Sequence, residues 1–159
     1  MLHFCDRTLF IIKNDKSEQG NTNMQLAIRY FTKSKKGNTE KITKHIEAKL
    51  DVTALDITNP LDEEVDTLLL VNAMYAANID KKIKEFLKNN KDKIKNLINI
   101  NSSASGASTY KKVKKVCDKY NIPISDKEFH TVASWIFMNK GRPNEEDFKR
   151  LDAFLDEIR

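Results

Sequence analysis

The most informative stretch of this chain is Arg29-Tyr-Phe-Thr-Lys-Ser-Lys-Lys-Gly-Asn-Thr39. An apolar run from Leu26 to Phe31 ends there in a polar loop with one glycine, and a helical pattern begins at Gly37. A strand that turns directly into a helix presents backbone N–H groups outward, and the helix dipole at that end favours negative charge. The stretch therefore predicts a strand–loop–helix unit that can hold a phosphate. The alternative is an ordinary helix cap after a strand–helix turn.

Beyond this stretch, strand-like and helix-like segments alternate along the chain. Leu68-Leu-Leu-Val71 is typical of a central parallel strand, and Ile42, Ile46 and Leu50 have the spacing of one helix face. The predicted strands are residues 25–32, 52–57, 66–73, 97–101 and 122–130, and the predicted helices are residues 38–50, 79–88, 110–120 and 144–158. This alternation predicts an α/β fold, a three-layer sandwich of a five-stranded parallel sheet with helices on both faces.

The composition is that of one soluble domain of 159 residues, with 40% hydrophobic and 32% charged residues. The net charge of +5 is interpreted as a lysine-rich solvated surface, although the excess could also attract an anionic partner or cofactor. Because the sequence contains no arginine–aromatic block and no basic tail, we expect no nucleic-acid partner. We also expect no membrane partner, since no apolar run is long enough to cross a bilayer.

Residues 1–23 differ from the rest and are predicted to be a poorly ordered N-terminal extension, with the folded domain at residues 24–159. The apolar run at residues 9–12 is too short for the core of a signal peptide. Cys5 and Cys117 fit no metal or redox spacing, which predicts free thiols in a reducing compartment. A cytoplasmic location is therefore expected.

Three loops leave the carboxyl ends of predicted strands, at residues 32–37, 74–78 and 102–108, and all are rich in small, hydroxyl or amide residues. Ligands of parallel sheets bind beyond these ends, so the three loops predict one shared site. Trp135, the sole tryptophan, lies in the last long loop. It could cover a ligand or close the edge of the sheet, and we favour the second.

The loops also resemble those of the flavodoxin family. Tyr30-Phe-Thr-Lys-Ser-Lys-Lys-Gly-Asn-Thr39 is similar to the loop around the FMN phosphate, Asn72-Ala-Met-Tyr-Ala-Ala-Asn-Ile-Asp80 to the loop beside the isoalloxazine ring, and Asn101-Ser-Ser-Ala-Ser-Gly-Ala107 to the third loop. Phe137-Met-Asn-Lys-Gly-Arg-Pro-Asn-Glu-Glu-Asp147 resembles the entry to the last helix. The resemblance implies the strand order 2-1-3-4-5, FMN as cofactor, and electron transfer with redox partner proteins.

The resemblance also assigns twelve cofactor-binding residues. Those implied at the phosphate are Thr32, Ser34, Lys36, Gly37, Asn38 and Thr39; those at the ring are Ala73, Tyr75 and Ala76; those at its pyrimidine end are Ser102, Ser103 and Gly106. Tyr75 could instead pack on its own loop, and the serines could form a solvent-facing turn. The lysines before Gly37 depart from the family pattern. Two other functions remain open: a small FMN-dependent NAD(P)H or quinone reductase, and an interaction module that has lost FMN.

Overall fold

The computed structural model describes residues 24–159, so the predicted extension at residues 1–23 lies outside the described residues. The strands are β1 (Leu26–Tyr30), β2 (Ala54–Asp56), β3 (Thr67–Ala73), β4 (Leu97–Ser103) and β5 (Phe129–Val132). The helices are α1 (Asn38–Leu50), α2 (Lys81–Asn90), α3 (Tyr110–Tyr120) and α4 (Glu145–Ile158), and a single 3₁₀ turn, Lys91–Lys93, follows α2. All strand pairs are parallel and their order is β2-β1-β3-β4-β5, which confirms the predicted fold.

The sheet separates two apolar clusters, because successive side chains of a strand point to opposite faces. Leu68 and Leu70 of β3 pack with α2 and α3, whereas Leu69 and Val71 pack with α1 and α4. This is why the apolar run at the centre of β3 shows no polar alternation. Cys117 of α3 is fully buried, as predicted, and burial raises the pKa of its thiol to about 12. Within residues 24–159, no helix combines the length and the apolar character that crossing a membrane requires.

A buried polar network joins β3, β4 and the start of α3 at the carboxyl edge of the sheet. Asn72 donates from Nδ2 to Asn99 Oδ1 at 2.8 Å, and Thr109 Oγ1 donates to Asn72 Oδ1 at 2.9 Å. The N–H of Thr109 donates to Asn101 Oδ1 at 3.0 Å. All four residues are fully buried. Because buried amides are costly unless they are paired, this network fixes the position of the loop between β4 and α3.

The last strand differs from its prediction at residues 122–130. Leu97 exchanges hydrogen bonds with Pro123 O (2.9 Å) and the N–H of Ser125 (2.8 Å), but the chain then leaves the sheet. Pairing with β4 resumes only at Phe129 and continues to Val132. The apolar residues at 122–124 and at 129 are therefore two separate contacts with β4, which a single apolar pattern does not distinguish.

Candidate functional site

A cavity of about 440 Å³ opens at the carboxyl edge of the sheet, between the start of α1 and the loops after β3, β4 and β5. A volume of this size is in the range of small-molecule sites. It brings together the predicted site residues Thr32, Ser34, Gly37, Asn38, Thr39, Ala73, Tyr75, Ala76, Ser102 and Ser103. Lys36 and Gly106 are not among the lining residues.

The start of α1 forms one end of the cavity. Thr32 and Ser34 fold the preceding loop on itself, since the Thr32 hydroxyl accepts from the N–H of Ser34 at 3.1 Å and donates to its carbonyl at 3.0 Å. A Cβ on Gly37 would lie 3.1 Å from that same carbonyl, so this close approach favours glycine. Within the described residues, no oxygen accepts a hydrogen bond from the backbone N–H groups of residues 38–40. These groups are therefore free to bind an anion.

Two nearly buried hydroxyls open into this cavity. Thr39 is 4% exposed and Ser102 is 2% exposed, and both line it. Neither hydroxyl forms a hydrogen bond with the described residues. Among those residues, every side-chain oxygen or nitrogen that is fully enclosed has a hydrogen-bond partner. The two hydroxyls must therefore be reachable from the cavity, where a ligand can accept from them or donate to them.

The backbone of Lys36 is bonded to the first turn of α1. Lys36 has a positive φ of 59°, and its backbone N–H donates to the Glu40 carboxylate. This backbone hydrogen bond, assisted by Lys44, lowers the pKa of Glu40. Lys36 therefore supplies neither a cavity-lining side chain nor a free N–H in this structure, although its ammonium stays on the same exposed loop as Lys33 and Lys35.

The Tyr75 turn (residues 75–78) forms the second wall. Tyr75 and Asn78 exchange two backbone hydrogen bonds of 2.8 and 2.9 Å around Ala76 and Ala77, which have positive φ values of 47° and 59°. The Tyr75 hydroxyl accepts from the N–H of Lys33 at 2.9 Å, so it ties this turn to the first loop. Its ring meets Phe31 edge-on at 6.4 Å. Tyr75 is thus fixed at both ends of its side chain.

The Trp135 turn (residues 135–138) forms the opposite wall. Trp135 and Met138 exchange two backbone hydrogen bonds of 3.0 and 2.8 Å, and Ile136 between them has a positive φ of 48°. Trp135 lines the cavity and is 60% exposed. The favoured interpretation, that Trp135 closes the sheet edge, is therefore wrong, because the turn carries the ring out to the mouth of the cavity.

The base of the Trp135 turn is bonded to two neighbouring loops. Asn38 at the start of α1 donates to the carbonyl of Ser134 at 2.8 Å. Asn139 donates to the carbonyl of Ala104, in the loop after β4, at 2.6 Å. These amide contacts connect the Trp135 turn to the start of α1 and to the loop after β4. They also mean that the Asn38 side chain, predicted to bind the cofactor, holds two parts of the protein together.

Asp147 anchors the far end of the same loop to α4. Its carboxylate is 3% exposed, pairs with Arg142, and accepts from Thr131 Oγ1 and from the N–H of Asn144, each at 2.8 Å. Burial acts to raise the pKa of Asp147, but these hydrogen bonds outweigh it and lower the pKa to about 2. Arg142 in turn accepts at its carbonyl from the N–H of Ser134 at 3.0 Å, which connects the ion pair to the Trp135 turn.

The loop after β4 contributes through its backbone shape. Gly106 has a positive φ of 74°, and its carbonyl accepts from Nδ1 of His130 at 3.0 Å. Ser103 lines the cavity, but its hydroxyl donates to the carbonyl of Ala107 at 2.9 Å. Gly106 thus permits the turn and is not itself part of the cavity wall.

Prediction from sequence missed five lining residues: Met74, Ala104, Ala133, Ser134 and Trp135. A usable signal was present, because Ala73-Met-Tyr75 and Ala133-Ser-Trp135 share one pattern. In each, an alanine at or just after the end of a strand is followed, two residues later, by an aromatic residue. This spacing brings both rings to the same edge of the sheet.

These observations define a class: a doubly wound α/β protein whose site lies where the strand order reverses, between the ends of β1 and β3. A free helix N-terminus and two aromatic residues line this site. A family model described as a flavodoxin domain matches residues 30–151. The chain therefore belongs to the flavodoxin family. No curated protein sequence matches it significantly.

Solved structures agree on the fold. A flavodoxin from the domain Archaea is 13% identical, with a TM-score of 0.65 over 85% of this chain and 96% of its own. Flavodoxin 2 from Bacillus cereus is 14% identical, with a TM-score of 0.58 over 85% and 99%. The Trp repressor binding protein from Bacillus subtilis is 10% identical, with a TM-score of 0.55 over 82% and 97%.

Proposed function

We propose that this chain is a cytoplasmic flavoprotein that binds FMN noncovalently and transfers electrons between redox partner proteins. One observation carries the proposal: a single cavity is lined by the start of α1, with its free N–H groups and a free hydroxyl, and by two aromatic residues, Tyr75 and Trp135. This arrangement matches a planar ligand with an anionic tail. Family membership adds that FMN is the expected ligand of this kind.

The first step of the argument concerns the phosphate. The N–H groups of residues 38–40 and the Thr39 hydroxyl are donors without acceptors in the described chain, and the α1 dipole favours an anion there. The carboxylate of Glu40 opposes this charge, but it is bonded to the Lys36 N–H and paired with Lys44 at 3.0 Å. The exposed Lys35 and Lys36 on the same loop form no ion pair within the described residues and add attraction, whereas Lys33 is paired with Asp80. The residues present therefore fit a phosphate.

The second step concerns the flat end of the ligand. Tyr75 and Trp135 both line the cavity, and aromatic faces stack well on planar rings. Between them, the free hydroxyl of Ser102 can bond a polar edge. Small residues such as Ala73 and Ala133 leave room for a ring to approach the ends of the strands.

FMN, when bound, supplies the redox chemistry itself. The chain's own residues then bind, orient and shield it: the start of α1 holds the tail, Tyr75 fixes one face, and the Trp135 turn limits the entry of water. The nearby lysines make the surroundings positive, and a positive field favours the more negatively charged, reduced form of a bound ligand. We therefore expect a less negative reduction potential than a matched site rimmed by carboxylates would give.

The test is a titration of the purified protein with FMN and with riboflavin, followed by flavin fluorescence. Because the phosphate would gain several charge-assisted hydrogen bonds, we expect FMN to bind about a hundredfold more tightly than riboflavin. The substitution Thr39→Val removes one of these donors at nearly constant volume. It should reduce the preference for FMN about tenfold and leave the affinity for riboflavin nearly unchanged.

Thr43→Val is the matched control. Thr43 lies one turn further along α1, is 2% exposed, and bonds the Thr39 carbonyl at 2.8 Å, but does not line the cavity. This variant should keep the preference for FMN. A wild-type protein that quenches neither flavin would overturn the proposal and favour the interaction module. Equal affinities for FMN and riboflavin would reject the start of α1 as the phosphate site.

A further inference from the structure

The Trp135 turn exposes four large apolar side chains in succession. Trp135 is 60% exposed, Ile136 67%, Phe137 84% and Met138 50%. Elsewhere among residues 24–159, exposed large hydrophobic residues occur singly, at Met24 and Leu55. Four adjacent exposed side chains form a contiguous apolar patch, and such patches on a protein surface often mark interaction sites.

This exposure is built into the backbone. The two hydrogen bonds between Trp135 and Met138 close the turn, and Asn139 donates to the carbonyls of Ala104 and Ala133 at 2.6 and 3.2 Å. The base of the turn is therefore anchored to the sheet edge, while Ile136 and Phe137 at its tip contact solvent. A protruding convex tip with an anchored base presents its side chains outward.

The surroundings of the tip are rich in lysine. Lys140 places its Nζ 5.9 Å from the centre of the Phe137 ring. The first loop adds the exposed residues Lys35 and Lys36, and the Asn38–Ser134 hydrogen bond connects the end of this loop to the base of the turn. Lys33 of the same loop lies instead over the Tyr75 ring, at 4.6 Å from its centre.

Carboxylates at the same edge are mostly paired. Asp80 pairs with Lys33 at 3.0 Å, and Glu145 pairs with Lys149 at 3.1 Å. Glu40 pairs with Lys44 at 3.0 Å, and Glu146 at the start of α4 is exposed. Lys35, Lys36 and Lys140 form no ion pair within the described residues. The rim of the tip is therefore positive.

The expectation of no membrane partner rested on the lack of a segment that could cross a bilayer. We propose that the Trp135 turn instead inserts into the surface of an anionic lipid bilayer, with the surrounding lysines against the headgroups. Aromatic and aliphatic side chains with lysines beside them are the composition of interfacial membrane binding. Protein–protein interfaces are instead depleted in lysine. A second copy of the chain is disfavoured because two positive rims repel each other. Docked in this way, the mouth of the cavity faces the bilayer.

The test uses the full chain and vesicles of phosphatidylcholine, with or without about a quarter of phosphatidylglycerol. Flotation measures the bound fraction, and the emission of Trp135, the sole tryptophan, reports its insertion directly. We expect binding to the anionic vesicles at low salt with a blue shift of the emission, and weaker binding to neutral vesicles and at high salt. Phe137→Ser should lower the partition coefficient about tenfold.

Two control variants match the apolar and the charged changes. Met24→Ser is the control for Phe137→Ser, because it removes an apolar side chain that is 49% exposed at the other end of β1. Lys140→Glu reverses a charge at the rim, and its control, Lys119→Glu, reverses one at the far end of α3. Only Phe137→Ser and Lys140→Glu should weaken binding, with circular dichroism showing that all variants fold. The proposal is overturned if the wild type stays free of anionic vesicles, or if Phe137→Ser binds as well as the wild type. It is also overturned if Phe137→Ser abolishes a dimer that forms without lipid. Flotation gives these outcomes with or without FMN, and the Trp135 emission is recorded on the protein without flavin.

Discussion

The Tyr75 turn and the Trp135 turn have the same backbone design and opposite surroundings. Each is a four-residue turn after a strand, closed by two reciprocal hydrogen bonds, with a positive φ at its second residue and an aromatic ring at its first. Tyr75 is held by the Lys33 N–H and by Phe31. Trp135 is 60% exposed, and no hydrogen bond within the described residues uses its indole nitrogen.

The difference suggests a division of roles across the cavity. One wall is fixed to the body of the protein through its aromatic side chain, and the other is fixed only through its base, at Asn38, Asn139 and the Arg142–Asp147 pair. A ligand therefore meets a preorganised face at Tyr75 and an adjustable one at Trp135. The following predictions test this difference, beginning with the strongest effect.

Asp147→Asn should destabilise the fold by about 3 kcal/mol, because it removes a buried carboxylate that Arg142, Thr131 and the Asn144 N–H all bond. Chemical denaturation measures the loss. Asp156→Asn on the exposed side of α4, where the carboxylate is 60% exposed, should change stability by less than about 0.5 kcal/mol. Similar losses in both variants would show that Asp147 is not the anchor of the Trp135 turn.

Acid should weaken the anchor of the Trp135 turn at Asp147. The pKa of Asp147 is lowered from 3.8 to about 2 in the fold, so the unfolded chain binds the proton first. The stabilisation is therefore complete above pH 4 and is lost as the pH falls towards 2, by on the order of 2 kcal/mol. Melting temperatures and Trp135 emission across this range provide the measurement. Asp147→Asn should lack this part of the acid dependence.

Tyr75→Ala should weaken FMN binding about thirtyfold, since it removes the fixed wall and the acceptor of the Lys33 N–H. Tyr75→Phe keeps the ring and should lose about fivefold. Flavin titration gives both constants. Equal losses in Tyr75→Phe and Tyr75→Ala would show that the hydroxyl contact, and not the ring, is what the site requires.

Trp135→Ala should weaken FMN binding only about fivefold, because a ring that is 60% exposed keeps fewer contacts with a ligand. The same titration measures it, with Trp135→Phe expected to restore most of the affinity. The comparison of the two turns is reversed if Trp135→Ala loses more affinity than Tyr75→Ala.

Ala76→Gly should stabilise the protein slightly, by about 0.5 kcal/mol, because Ala76 has a φ of 47° that glycine adopts without strain. Thermal unfolding measures the shift. Ala48→Gly in the exposed part of α1 is the opposite control and should destabilise by about 1 kcal/mol. Destabilisation by both changes would mean that the Tyr75 turn carries no backbone strain.

Much of the fold could be predicted from the sequence, because the apolar runs, helix faces and loops repeat a local pattern that parallel sheets require. The strand order came from a family resemblance and not from the pattern itself. The gap in pairing before Phe129 could not be predicted, since it depends on how residues 126–128 leave the edge of β4.

The site was less predictable than the fold. Local composition identified the three loops, but the contact between Asn38 and Ser134 spans 96 positions and has no local signal. The turn at Trp135 contains neither glycine nor asparagine at its tip, so turn chemistry did not reveal it. The bond between Lys36 and Glu40 likewise follows from the loop's conformation.

The Cys117 thiol can report how often the core of this protein opens. Its thiol is fully buried, and burial raises its pKa to about 12, so the native state offers almost no thiolate to an alkylating reagent. Only molecules whose α3 has separated from the sheet react, and peptide-resolved mass spectrometry distinguishes this thiol from that of Cys5. The labelling rate therefore measures how often α3 separates from the sheet. A ligand bound at the opposite edge of the sheet should lower this rate, because it stabilises the folded state.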